Sequence, residues 1–182
     1  MIPSSIKSVL SLCIFTVGLT LSAPDIHSAA QAETKGPSGL PLPRYVSLKA
    51  QRVNMRVGPG RDYKVEWMYT KAGLPLEILQ EYDNWRKVRD FEGEEGWILQ
   101  SLLSGKRTAI VAPWKRNEKD GMVQLKNAPD TKAAVVAQME PGVVTKVSEC
   151  QNGWCEIKAG KVSGYALQDQ LWGVYPNEKF DD

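Results

Sequence analysis

Few side chains in this chain are equipped for covalent chemistry, and their spacing points away from a reaction. The 182 residues contain one histidine, His27, and three cysteines, Cys13, Cys150 and Cys155. A cysteine nucleophile needs an imidazole to take its proton, and zinc hydrolases draw on histidine-rich ligand sets. His27 and Cys13 both fall in an N-terminal stretch that reads as an export signal, which leaves two thiols and no imidazole. Those thiols flank Gln151-Asn152-Gly153-Trp154. Asn-Gly is a strong turn signal, and a hairpin there sets Cys150 opposite Cys155, within reach of a disulfide. Export favours that bond, although so short a loop contributes only ~2 kcal/mol on chain-entropy grounds. A redox or metal role is the alternative. Two thiols without histidine make a poor zinc site, and no thioredoxin-like helical context surrounds them. A carboxylate pair of the glycosidase kind fits the composition, but Glu92, Glu94 and Glu95 crowd a tight turn. No catalytic residue, metal or cofactor is expected.

The export signal is read from Lys7, an apolar run over residues 9–21, and the small-residue pattern Ala30-Gln31-Ala32. The run is shorter than the ~20 residues that span a bilayer. Cleavage after Ala32 leaves Glu33 first, and a cut after Ala23 or an uncleaved anchor are the alternatives. A lipoprotein is not expected, because Leu12 precedes Cys13 where a small residue is wanted. The mature protein is therefore expected in the periplasm or secreted, with no membrane attachment after cleavage. Lysine and arginine number 23 against 21 acids, for a net charge of +2. That balance makes no electrostatic case for nucleic acid or an anionic membrane surface.

The elements that must position any site are announced by a repeat. Met55-Arg56-Val57-Gly58-Pro59-Gly60 returns as Leu125-Lys126-Asn127-Ala128-Pro129-Asp130, and Ala72-Gly73-Leu74 as Pro141-Gly142-Val143. Asn84-Trp85-Arg86-Lys87-Val88 returns as Gly153-Trp154-Cys155-Glu156-Ile157, Gly96-Trp97-Ile98 as Gly164-Tyr165-Ala166, and Leu103-Ser104-Gly105 as Leu171-Trp172-Gly173. Order kept through five blocks means two copies of one unit, each small enough to have a marginal core. In this alignment Glu81 and Arg86 of the first copy, a candidate ion pair, stand where the second has Cys150 and Cys155.

Within each copy the apolar period is two: Val53, Met55 and Val57, then Leu74, Leu76 and Ile78. Turns are expected at Gly58-Pro59-Gly60, Asp83-Asn84 and Glu92-Gly93-Glu94, with one helical turn at Ser101-Leu102-Leu103. Residues 108–111 are expected to close the first unit, and residues 114–121 to bridge to the second. The fold class is all-β, as two tandem small barrels. The expected organisation is a signal peptide over 1–32, a Pro/Gly-rich linker over 33–44, a first domain over 45–113, a divergent second over 114–176 and an acidic tail over 177–182. Leu40-Pro41-Leu42-Pro43-Arg44 reads as a stiff spacer or an extended entry strand, or as a polyproline segment suited to an aromatic groove, its own barrel included.

Asn54-Met55-Arg56-Val57-Gly58-Pro59, Asn84-Trp85-Arg86-Lys87-Val88 and Gly96-Trp97-Ile98 resemble three markers of the bacterial SH3-like (SH3b) family. The second copy departs from the first marker, with Gln124-Leu125-Lys126-Asn127-Ala128-Pro129, but keeps the tryptophan and glycine-aromatic ones. The whole arrangement resembles exported two-copy SH3-like proteins of alphaproteobacteria. The resemblance implies SH3-like barrels and recognition of peptidoglycan stem peptides or of a partner protein segment. It also implies that the loop over residues 61–68, the Asp83-Asn84 turn and the turn at Ser101-Leu102 converge. Tyr63, Trp67 and Trp85 would then present aromatic faces, and Arg61 and Asp83 would orient charged ends of a peptide. Against this, Trp85, Trp97 and Trp154 recur at matched positions, as core residues of a small barrel would. Leu99 and Leu102 stand where eukaryotic PxxP recognition wants other residues, so that mode is not expected. Function thus divides between a non-catalytic envelope binding or adaptor protein, a structural or oligomerisation module, and an accessory cell-wall hydrolase. Fold alone does not choose among them.

Overall fold

Alternation of period two, interrupted by short turns, builds an almost entirely β structure. The computed structural model describes residues 34–176 with Glu178 and Phe180, all within one compact unit, Ala32–Asp182. The export signal read over 1–32 and the remainder of the acidic tail lie outside the described residues. A small hairpin, β1 (Thr34–Lys35) and β2 (Pro41–Leu42), leads into the first barrel. That barrel comprises β3 (Arg44–Leu48), β4 (Val53–Arg56), β5 (Val65–Tyr69), β6 (Pro75–Tyr82), β7 (Trp85–Arg89), β8 (Glu95–Leu99) and, after a 3-10 turn at Gln100–Leu102, β9 (Leu103–Ser104). The second comprises β10 (Thr108–Val111), β11 (Val123–Lys126), β12 (Val135–Met139), β13 (Val144–Gln151), β14 (Trp154–Ala159), β15 (Val162–Leu167) and β16 (Leu171–Trp172).

Strand order is β5-β4-β8-β7-β6-β3-β9 in the first sheet and β12-β11-β15-β14-β13-β10-β16 in the second. The two orders match strand for strand, so the duplication seen in the sequence is a duplication of topology. Each sheet curls over its own core. Val53, Met55, Leu76, Ile78, Val88 and Ile98 fill the first; Val123, Leu125, Val147, Ile157 and Ala166 fill the second. Matched positions differ, with Leu76 answered by Thr145 and Ile98 by Ala166, while Ala112, Leu171 and Val174 add to the second core. The disulfide lies there: Cys150 pairs with Cys155 across β13 and β14, with their Cα atoms 4.0 Å apart. Asn152 and Gly153, at φ 52° and 78°, make the two-residue turn with both central residues left-handed that a twisted hairpin prefers.

Three expectations are corrected. Residues 108–111 do not close the first barrel: β10 pairs with β13 and β16 and opens the second, so the boundary falls between Ser104 and Thr108. Alternation tells a strand which face to bury, not which sheet to join. Residues 114–121 accordingly belong to the second barrel, between β10 and β11, from which Arg116 reaches back to Glu92 and Phe91 of the first. The segment over 33–44 is more than a linker, since β1 and β2 pair and Leu42 packs against the first core.

Candidate functional site

Strands β4, β7 and β8 each turn one row of side chains outward, and those rows meet on the first barrel. Trp85 pairs across to Leu99, and Arg56 across to Trp97. The result is a cleft of about 530 Å³. Trp85, Leu99 and Leu102 form its apolar side with Met68 of β5, while Arg52, Arg56 and Arg61 supply cations. The tryptophans are therefore not core residues. Trp85, Trp97 and Trp154 are half-exposed, and their inward neighbours Arg86, Val88, Ile98 and Cys155 are buried.

Of the sequence-predicted site residues, the structure brings Arg61 and Trp85 together in this cleft. Tyr63 does a different job. Its ring lies over the turn at Gly58, where an added Cβ would come within 2.4 Å of a ring carbon, and its carbonyl accepts a 2.6 Å bond from Arg56 Nη1. The second copy keeps the same backbone bonds in this loop, Asn127 N to Ala134 O and Asp130 N to Ala128 O, matching Val57 N to Lys64 O and Gly60 N to Gly58 O. There Ala128 and Ala133 replace Gly58 and Tyr63. Where the ring is absent, the glycine is too.

Trp67 faces another cleft. Its register with Met55 puts it on the inward face of β5, at the barrel mouth, beside Leu74, Phe91 and Arg116. Asp83 occupies the hairpin turn at φ 48° and contributes its carbonyl to Arg86 Nη1 at 2.9 Å; its side chain points to solvent. The predicted convergence of five residues thus resolves into four separate places, only Arg61 and Trp85 sharing one. Sequence reasoning missed Arg52, Arg56, Met68, Leu99 and Leu102 as cleft residues. The available signal was the spacing of Arg52, Asn54 and Arg56, which alternate with buried Val53 and Met55 and so must face outward.

A buried ionic cluster stands behind the cleft. Glu81 accepts from Ser38 N at 2.8 Å, Ser38 Oγ at 2.7 Å and Arg44 Nη2 at 2.6 Å, and pairs with Arg86 Nε at 3.2 Å. Arg86 Nη2 reaches Gln100 Oε1 on the 3-10 turn, which fixes the turn carrying Leu102. Burial acting alone would raise the Glu81 pKa, but the donors from Ser38 and Arg44 outweigh it and hold the carboxyl at about 2. Among the described residues, no group of three or more His, Cys, Asp and Glu side chains is placed to hold a metal ion. No helix among them is long and apolar enough to cross a membrane.

Comparison with known proteins gives this geometry a family. A putative N-acetylmuramoyl-L-alanine amidase of Bacillus subtilis (strain 168), YrvJ, is 23% identical over 128 residues, which cover 68% of this chain and 24% of that protein. The chain therefore spans about a quarter of the relative's length. Solved structures of NlpC2 and NlpC1 from Trichomonas vaginalis align over 77% and 81% of this chain and 51% of each of theirs, at 14% and 15% identity. Both have TM-scores of 0.33, too low to bear on function. Residues 49–105 and 119–173 each match the bacterial SH3 domain. These two stretches make up more than half of the sequence, and each covers six of the seven strands of one sheet, β3 and β10 lying outside them, so the chain belongs to the bacterial SH3 domain family.

Proposed function

We propose that this is an exported, non-catalytic binding protein of the cell envelope whose first barrel holds peptidoglycan stem peptides. The observation that carries the reading is the outward cleft of the first barrel, where Trp85 presents its ring beside Leu99, Leu102 and Met68. An exposed aromatic with an apolar rim is the kind of anchor that dominates peptide recognition. The similarity to a putative N-acetylmuramoyl-L-alanine amidase supports a cell-wall ligand. Both cysteines outside the export signal are joined in the disulfide, which supports a role without chemistry. The second barrel keeps Trp154 but replaces Met68 with Gln138 and Leu102 with Gln170, so it serves as partner to the first rather than as an equal site.

The test is co-sedimentation of the protein, purified from the periplasm, with insoluble sacculi. Trp85→Ala should weaken retention by roughly tenfold or more, as loss of an anchoring tryptophan does, whereas Trp154→Ala should leave it nearly unchanged. Failure of the wild-type protein to sediment with sacculi would remove the proposal.

A further inference from the structure

The chain has eight arginines, and all of them lie among the described residues. Arg44, Arg86, Arg89, Arg107 and Arg116 each stand within 4.0 Å of a carboxylate. The other three are Arg52, Arg56 and Arg61, and these are the three that line the Trp85 cleft. Among the described residues none of them enters an ion pair. Arg52 reaches only the Met68 sulfur, at 3.7 Å. Arg56 is steadied by the Tyr63 carbonyl through one nitrogen, which leaves the rest of its guanidinium free. Of the acids on the same loop and strand, Glu66 is taken by Lys64 at 3.5 Å, and Asp62 is exposed.

The second barrel is an internal control for what the fold requires. It has the same strand order and the same loop hydrogen bonds, yet it carries Met122, Lys126 and Thr131 in place of Arg52, Arg56 and Arg61. Folding this barrel therefore does not need the arginines. Gly58 and Tyr63, which seat the loop and steady Arg56, are lost together with them. Guanidinium is the group suited to bidentate capture of carboxylate, and charge-assisted bonds are the strong ones. Three such groups with free donors around a tryptophan and two leucines complement a ligand that alternates acidic and apolar groups.

We infer that the Arg52–Arg56–Arg61 cleft binds an acidic peptide, its carboxylates held by the guanidiniums and an apolar side chain lying on Trp85. This deepens, and rests on, the stem-peptide reading above. Stem peptides carry free carboxylates, so the arginines supply what the aromatic side of the cleft lacks. Tyr63 is a positioning residue that acts through Arg56. Phosphate polyanions are the less fitting occupant, because the cations are confined to one short cleft and do not continue along the sheet. On the same outer face Lys87 is already paired with Glu95 at 2.6 Å.

The experiment compares retention on native sacculi with retention on sacculi whose carboxylates have been amidated. Alongside it, a soluble pentapeptide with two glutamates, a central leucine and a free C-terminus is titrated by tryptophan fluorescence. The triple variant Arg52→Met, Arg56→Lys, Arg61→Thr installs residues that the second barrel already accommodates. Amidation and the triple variant should each weaken binding by at least about tenfold, as loss of charge-assisted bonds does. Arg61→Thr alone, at an exposed position on the cleft rim, should weaken it by roughly threefold and covers the case in which the triple variant fails to fold. Equal retention on amidated sacculi, or wild-type affinity in the variants, overturns this inference and leaves the stem-peptide reading standing. If the wild type ignores sacculi altogether, that reading falls, and the soluble peptide alone decides: arginine-dependent binding sustains the inference and no binding ends it. Tighter binding of inorganic polyphosphate or of phosphatidylglycerol vesicles than of the peptide also overturns it.

Discussion

Glu81 has 1% of its side chain exposed, and it stays charged because Ser38, Arg44 and Arg86 surround it with donors. Burying a carboxylate is costly unless it is paired and hydrogen-bonded, and here both conditions hold. The consequence is a pH dependence of known sign. The folded pKa, about 2, lies below the ordinary 4.5, so the contribution is fully present above about pH 4.5 and is lost as pH falls toward 2. Between pH 5 and pH 3 the wild type should lose about 2 kcal/mol of stability from this group alone. Glu81→Gln should remove that component and, by stranding two arginines, lower stability at neutral pH by about 3 kcal/mol. Urea unfolding at the two pH values measures both effects. A variant with the wild-type acid dependence would show that Glu81 is not its source. The same residue ties the β1–β2 hairpin to the barrel, so the variant should also release residues 34–42 to proteolysis.

The β6–β7 hairpin and its counterpart β13–β14 solve one problem in two ways. Glu81 faces Arg86 in the first, and Cys150 faces Cys155 in the second. The disulfide closes a hairpin of the second barrel, a unit of a size at which a staple adds usefully to a marginal core. Cys150→Ala with Cys155→Ala should cost about 2 kcal/mol. Hydrogen exchange should then rise on β13 and β14 and stay unchanged on β6 and β7; equal change in both hairpins would contradict this. The turns themselves were legible, since Asp83-Asn84 and Asn152-Gly153 are strong local signals, and so was the equivalence of the two cysteine and ion-pair positions. The outward tryptophans were not. Straight alternation from Leu76 and Ile78 places Tyr82, and so its partner Trp85, inside. A bulge at Leu79, between the pairs Ile78–Val88 and Gln80–Lys87, reverses the faces and turns Glu81 inward and Tyr82 and Trp85 out. A bulge of one residue re-aims every side chain beyond it, and it leaves no mark in apolar periodicity. The cleft was half legible for the same reason: the outward face of Arg56 follows from its alternation with Val53 and Met55, whereas the outward turn of Tyr82 and its partner Trp85 goes with that bulge.

At the scale of the whole molecule, two barrels of marginal size stabilise each other through an aromatic seam. Tyr45 of β3 packs against Trp172 at 5.2 Å and Tyr175 at 4.6 Å. The Tyr175 hydroxyl donates to Glu77 Oε1 at 2.6 Å, while Arg89 holds Oε2 of the same buried carboxylate. Burial and Glu77 both push the Tyr175 phenol well above its ordinary pKa, so it remains a donor at any physiological pH. Arg107 clasps Glu178 at 2.5 Å and lies 4.8 Å over Phe180, and Arg116 lies 4.8 Å over Phe91. Domains joined by small polar contacts move independently, whereas a packed apolar contact of this kind couples them. The wild type should therefore unfold in one calorimetric transition. Tyr45→Ala with Tyr175→Phe removes two ring contacts, each contributing about 1 kcal/mol beyond its buried area, and leaves Glu77 without its neutral donor. Two transitions should then separate, the earlier one sensitive to acid through Glu81 and the later one to reductant through the disulfide. A single transition in the double variant would mean that the barrels are coupled by something other than this seam. No cleft residue takes part in the seam, so the variant should keep its affinity for the acidic peptide within about threefold, as distant and unconnected sites do. A larger loss would make the second barrel part of the binding device.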